Sequence, residues 1–143
     1  MPRKRSPAFK VVDKETRRGT NLALWKRRSD KKDIEYLLKL YADFFPAYLK
    51  DTIVQKLPRT KGLFFFKDIY YAKRLIRRCH LPEDSLMIIK VQPIGKITQP
   101  KKILSGIGSY AYALPAYYQG MTLMDEVAPP KGTYVCNSLK VLE

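Results

Sequence analysis

Hydrophobic and polar residues alternate in short blocks along this chain, and several blocks are rich in β-branched and aromatic residues. Such blocks predict strands at residues 8–12, 21–26, 63–67, 86–91 and 133–142. Pro93 and Gly95 should interrupt the fourth strand, because proline removes a backbone donor from a sheet. The pattern therefore predicts strands near both ends of the chain and in its middle.

Helical spacing appears in the segment that follows the first strands. Apolar residues at 34–41 recur with a period near 3.6, Asp33 is a candidate cap, and Pro46 should end or kink the helix. A strand over residues 36–40 is the alternative. Residues 49–57 are expected to form a second short helix or an irregular segment.

The clearest unit is an aromatic strand that leads into a basic helix. Gly62 precedes the run Leu-Phe-Phe-Phe-Lys, and Asp68 follows it as a candidate cap for a helix over Ile69–Cys79. The predicted apolar face of this helix consists of Ile69, Ala72, Ile76 and Cys79. Basic residues occupy the rest of its surface, and those in its last turn also favour the helix dipole.

This order of strands and helices, with mixed lengths, is typical of the α+β class. A chain of 143 residues favours one domain. We expect a small single domain over residues 8–143, with a mixed or antiparallel sheet and one or two packed helices, preceded by a flexible basic arm at residues 1–7. Residues 110–118 are expected to form a tyrosine-rich loop, and residues 121–127 a short element.

The net charge changes what such a domain is expected to bind. The chain carries 28 Lys and Arg against 13 Asp and Glu, a net charge of +15. Residues 1–32 hold 12 basic and 3 acidic side chains and residues 63–102 hold 9 and 3, whereas residues 103–143 are close to neutral. An excess of this size predicts an anionic partner or an electrostatically steered encounter.

Two sets of residues are candidates for partner or nucleic-acid binding. The basic set comprises Arg17, Arg18, Arg27, Arg28, Lys73, Arg74, Arg77 and Arg78, of which the last three share a helix face. The aromatic set comprises Tyr110, Tyr112, Tyr117 and Tyr118. A solvated helix face is the alternative interpretation of the basic set. Tyrosine is enriched at protein interfaces, so the aromatic set favours a protein partner.

No arrangement typical of catalysis is present in the sequence. Cys79, Cys136 and His80 are too few for a structural zinc site with four ligands. His80 lies beside arginines and has no neighbouring carboxylate to orient it. Gly106 and Gly108 are not followed by the third glycine of a dinucleotide-binding motif. We therefore expect no enzymatic activity, no metal and no cofactor.

Composition also bears on the compartment. Cysteines without a disulfide framework favour a reducing compartment such as the cytoplasm. Residues 103–124 carry no charge, but they contain too many glycine, proline and polar residues for a membrane span. The scarcity of Asn, Gln, His and Cys beside abundant Lys and Arg suggests a thermophilic source.

Three segments together have a recognisable pattern. They are Phe9-Lys10-Val11-Val12, Gly62-Leu-Phe-Phe-Phe-Lys leading into a helix with Ala72, and Gly132-Thr-Tyr-Val-Cys-Asn-Ser-Leu-Lys-Val-Leu. The pattern covers about a third of the chain and resembles a group of small bacteriophage accessory proteins. Within that group the chain is similar to the Thermus-phage type of RNA polymerase inhibitor. The resemblance implies a protein that binds the host enzyme where the sigma factor meets the flap.

Two functional hypotheses follow. The first is a non-enzymatic phage-type regulator in the host cytoplasm, which binds RNA polymerase or its sigma factor and inhibits or redirects transcription. The second is a direct nucleic-acid-binding viral or ribonucleoprotein component that acts through phosphate contacts, with affinity that falls steeply as salt increases. An enzyme that acts on nucleotides or nucleic acid is the least favoured class.

Overall fold

Within the residues that the structure describes, a six-stranded antiparallel sheet and two helices form the fold, which confirms the predicted α+β class. The computed structural model describes residues 7–19, 31–41, 46–56, 62–79, 85–100, 103–104, 126–127, 129 and 131–143. The sheet consists of β1 (Ala8–Asp13), β2 (Ile53–Gln55), β3 (Leu63–Phe66), β4 (Leu86–Ile94), β7 (Thr133–Cys136) and β8 (Ser138–Val141). A separate pair is formed by β5 (Ile103–Leu104) and β6 (Glu126–Val127), and the helices are α1 (Lys31–Tyr41) and α2 (Ile69–Cys79).

The sheet is curled rather than flat. Its strand order is β2-β8-β4-β1-β3-β7, yet only Asn137 separates β7 from β8 along the chain. In a flat sheet these two strands would lie about 19 Å apart, whereas Cys136 and Ser138 are separated by about 7.6 Å at most. The strands β8, β4, β1, β3 and β7 therefore curl into a small barrel, and the single strand predicted at 133–142 is two strands with different neighbours.

The curled sheet has an inner and an outer layer of side chains. Val12 of β1 belongs to the inner core, whose largest fully buried side chains include Phe65, Ile89 and Leu139. Val11 points to the outer face, where α2 covers it. Neighbouring residues of one strand point to opposite faces, so β1 contributes to both layers.

Two predictions for residues 31–57 are corrected in part. α1 confirms a helix over the strand alternative, but it begins at Lys31, so Asp33 lies in its first turn rather than at its cap. The segment predicted as helical or irregular at 49–57 contains strand β2, in which Val54 pairs with Leu139. The partner strand comes from the far end of the chain, so no local pattern predicts this pairing.

The prediction for β4 is also corrected, because the strand continues through Pro93 to Ile94. The carbonyl of Lys90 accepts a hydrogen bond from the Leu142 N–H at 2.9 Å, so Lys90 directs its backbone groups towards β8. Backbone direction alternates along a strand, and Pro93 therefore faces the side of β1. The pairing of β4 with β1 ends at Val91. The missing N–H of Pro93 therefore costs the sheet no hydrogen bond to β1.

Some sequence predictions lie outside the described residues. These are the basic arm at residues 1–7, of which only Pro7 is described, the strand at 21–26 and the tyrosine-rich loop at 110–118. The short element predicted at 121–127 is described only at β6. The strands predicted at 8–12 and 63–67 and the helix over Ile69–Cys79 are confirmed.

A lysine lies in the inner layer of the barrel. Lys10 is 8% exposed, its Nζ donates a hydrogen bond to the Phe64 carbonyl at 2.7 Å, and Nζ lies 4.7 Å from the centroid of the Tyr48 ring. Burial lowers the pKa of Lys10 from 10.5 to about 8, and the charge of the neighbouring Cys136 thiol opposes part of that effect. The protonated lysine therefore destabilises the folded state relative to a neutral side chain.

Replacing Lys10 with methionine should stabilise the fold at pH 7 by up to about 3 kcal/mol, because one pKa unit corresponds to about 1.4 kcal/mol. The unfolded chain binds this proton more tightly, so wild-type stability should gain a contribution as the pH rises from about 8 to 10.5. Urea unfolding of Lys10→Met and of the wild type across that pH range measures the difference in their free energies of unfolding. This difference should become smaller as the pH approaches 10.5.

Lys140→Met is the matched control, because Lys140 is exposed on β8. This control should follow the pH dependence of the wild type. A Lys10→Met protein that is less stable than the wild type at pH 7, or a difference that stays constant with pH, would contradict the explanation.

Candidate nucleic-acid interface

α2 is fixed on the outer face of the sheet by its cap and by its apolar side. Asp68 Oδ1 accepts a hydrogen bond from the Tyr70 N–H at 2.9 Å, which confirms the predicted cap. Ala72 is fully buried in the outer core, and Leu75 packs beside it. Ile69, which was predicted on this face, is instead 39% exposed. Burial of the Ala72 side directs the opposite side of the helix towards solvent.

That opposite side carries the basic face, which we define as Lys73, Arg74, Arg77 and Arg78. Lys73, Arg77 and Arg78 are exposed, and Arg74 is half-buried. None of the four forms an ion pair or a side-chain hydrogen bond with any residue in the described part of the chain. α2 contains no acidic residue. The basic face is therefore a cluster of positive charges on one rigid element.

An exposed aromatic ring stands beside the basic face. Tyr70 is 54% exposed and precedes Arg74 by four residues, so the two side chains lie on the same face of the helix one turn apart. The Tyr70 and Tyr71 rings meet edge to face, with centroids 5.3 Å apart and an interplanar angle of 76°. This edge-to-face contact limits the positions that the exposed ring can adopt.

The backbone of Gly132 packs closely against the ring of Tyr71. Gly132 has φ of +85°, and a Cβ placed on it would lie 2.5 Å from Tyr71 Cδ2. Only glycine allows the turn before β7 to approach the ring so closely without displacing it. The start of α2 is thereby packed against the turn that leads into β7.

Arg17 and Arg18 lie in the turn after β1. Arg17 Nε donates to the Tyr48 carbonyl at 2.8 Å, and its Nη2 donates to the backbone carbonyl of Glu143. Arg18 is half-buried in the turn after β1, where its carbonyl accepts from the Asp13 N–H. Because Tyr48 packs in the inner core and α2 covers the outer face, the structure does not bring Arg17 together with the basic face.

The remaining predicted binding residues lie outside the described part of the chain. They are Arg27, Arg28, Tyr110, Tyr112, Tyr117 and Tyr118. The aromatic residue that accompanies the basic face is instead Tyr70, which sequence reasoning missed. Its distance of four residues from Arg74 was the signal that could have identified it.

The described residues contain no group of three or more His, Cys, Asp or Glu residues that could hold a metal ion. Among them no helix is long and apolar enough to cross a membrane. Cys136 is buried, and its Sγ lies 3.1 Å from the Ser138 carbonyl.

Comparison with known proteins gives no relative. No protein family model matches the chain, and no curated protein or solved structure shows a significant match. The function therefore has to be inferred from the residues themselves.

Replacing Gly132 with alanine should lower the free energy of unfolding by about 2 kcal/mol or more, because the new Cβ both strains the backbone and displaces the Tyr71 ring. Gly95→Ala is the matched control. Gly95 has a similar φ of +88°, but no heavy atom lies within 4 Å of the added Cβ. Urea unfolding measures the loss of unfolding free energy in each variant. Equal losses in Gly132→Ala and Gly95→Ala would show that the contact with Tyr71 contributes nothing to stability.

Proposed function

We propose that this protein is a non-enzymatic nucleic-acid-binding protein that holds the phosphate backbone with the basic face of α2. The observation that carries the proposal is the group of four cations on one helix, none of which is neutralised by a described residue. Cations that lack internal partners gain most from an external anion. The net charge of +15 adds long-range attraction for the same partner.

The chemistry of the basic face favours phosphate in particular. Three of its four members are arginines, whose planar guanidinium groups can donate two parallel hydrogen bonds to one phosphate. The helix places Lys73 and Arg78 about 7.5 Å apart along its axis, so neighbouring phosphates can be held at once. Contacts of this kind fix position and supply affinity without reading sequence.

A second candidate function is the phage-type regulator that docks on RNA polymerase. Ile53 and Ile94, which are 57% and 41% exposed, are the observation that favours a protein partner. These two side chains lie on one face of the sheet, on the strands that flank β8, and exposed apolar side chains that share a face are typical of protein interaction sites. Capture of host proteins that survives nuclease treatment would support this candidate over the first, whereas capture that nuclease abolishes would support nucleic acid.

Reversing three charges of the basic face tests the first proposal. In the variant Arg74→Glu, Arg77→Glu, Arg78→Glu, affinity for a labelled nucleic acid should fall about a hundredfold or more, since each charged hydrogen bond contributes about 1 kcal/mol or more. The slope of log affinity against log salt should also decrease by roughly 2 to 3. Fluorescence anisotropy at several salt concentrations measures both quantities.

The control reverses three exposed lysines of α1, through Lys31→Glu, Lys32→Glu and Lys39→Glu. It changes the net charge by the same amount, so it removes the same long-range attraction but leaves the basic face intact. Equal loss of affinity in the two variants would mean that net charge alone drives binding and that α2 is not the site.

A further inference from the structure

The exposed ring of Tyr70 gives this surface a second kind of contact. We propose that the surface binds single-stranded nucleic acid, with one base stacked on Tyr70 and the neighbouring phosphates held by Arg74 and Arg77; this inference rests on the function proposed above. Aromatic rings beside arginines are the usual elements of single-strand binding, because every base offers a flat face and every nucleotide a phosphate.

The three side chains are arranged in a row. Tyr70, Arg74 and Arg77 follow one another at spacings of four and three residues, which keeps them on one face of α2. Each step corresponds to about one helical turn, or about 5 Å along the axis. A strand that runs along the helix therefore meets the ring first and the two guanidinium groups after it.

The ring of Tyr70 is positioned before any ligand arrives. Its edge-to-face contact with Tyr71, at 5.3 Å between centroids, depends on Tyr71 being held by the backbone of Gly132. A ring that is already ordered loses little conformational entropy when a base stacks on it. About half of its surface remains exposed for that purpose.

The charges at the two ends of α2 determine towards which end the phosphates of a bound strand lie. The exposed carboxylate of Asp68 caps the start of α2 and uses Oδ1 to accept the Tyr70 N–H. This negative charge disfavours a phosphate at the start of the helix, whereas the full charges of Arg77 and Arg78 outweigh the negative end of the helix dipole and attract one towards the end of the helix. The backbone of the bound strand should accordingly follow the arginines, and the base should lie on the ring.

The stacked base requires a single strand. In a duplex the faces of the bases are covered by their neighbours, and a protein meets only base edges and the backbone. Arginine contacts with phosphate are available in both forms. Tyr70 should therefore add affinity for a single strand alone.

The test compares Tyr70→Ala and Tyr70→Phe with the wild-type chain. The probes are a labelled single strand of about 20 nucleotides, the same strand annealed to its complement, and inorganic polyphosphate, which has charge but no bases. Tyr70→Ala should lose between about five- and one-hundredfold of its affinity for the single strand and keep its affinity for the other two probes. Tyr70→Phe should bind as the wild type does, because phenylalanine retains the stacking face.

The matched control is Tyr36→Ala, since Tyr36 of α1 is 56% exposed and carries the same side chain. This control should leave the affinity for all three probes unchanged. Equal losses of Tyr70→Ala on the single strand and on polyphosphate, or a wild-type protein without preference for the single strand, would overturn the inference. Failure of the proposed function gives a different result, in which reversing Arg74, Arg77 and Arg78 lowers the affinity no more than reversing the three lysines of α1 does.

Discussion

The burial of Ala72 against the sheet is the contact on which the candidate binding surface depends. Ala72 is fully buried beside Val11, Phe66 and Leu86, so one side of α2 cannot face solvent. The helical period then determines what the other side presents, which is the basic face and the ring of Tyr70. A small residue at this position also lets the helix lie close to the strands, which keeps the basic side chains on a rigid base.

Positive charges lie in two different environments, inside the barrel and on the outer helix α2. Lys10 is enclosed in the barrel, where desolvation lowers its pKa to about 8 and its Nζ donates a hydrogen bond to the Phe64 carbonyl. Lys73, Arg77 and Arg78 of α2 are exposed outside the sheet and keep most of their hydration. The buried charge of Lys10 therefore lowers the stability of the fold. The charges of α2, on the outer side of the sheet, are accessible to an anionic partner.

Local features of the sequence predicted much of this surface, whereas distant pairings were not predictable. Asp68, the aromatic run before it and the spacing within α2 lie close together in the chain, so the strand, the cap and the helix followed from pattern alone. β2 and the break between β7 and β8 depend on pairing across the barrel, as between Val54 and Leu139, which no local period encodes. Tyr70 was not predicted, because the tyrosines at 110–118 are the stronger compositional signal, although the spacing of four residues between Tyr70 and Arg74 places both on one helix face.

Ultraviolet cross-linking of a single-stranded nucleic acid to the wild-type chain, followed by mass spectrometry of tryptic peptides, tests the central claim most directly. Cleavage after Lys67 and Lys73 isolates residues 68–73, so a cross-link at Tyr70 appears in a short peptide of its own. Bases that stack on an aromatic ring are well placed for such a cross-link. The account predicts that this peptide carries the nucleotide. A bound strand whose cross-links all lie in other peptides would contradict it.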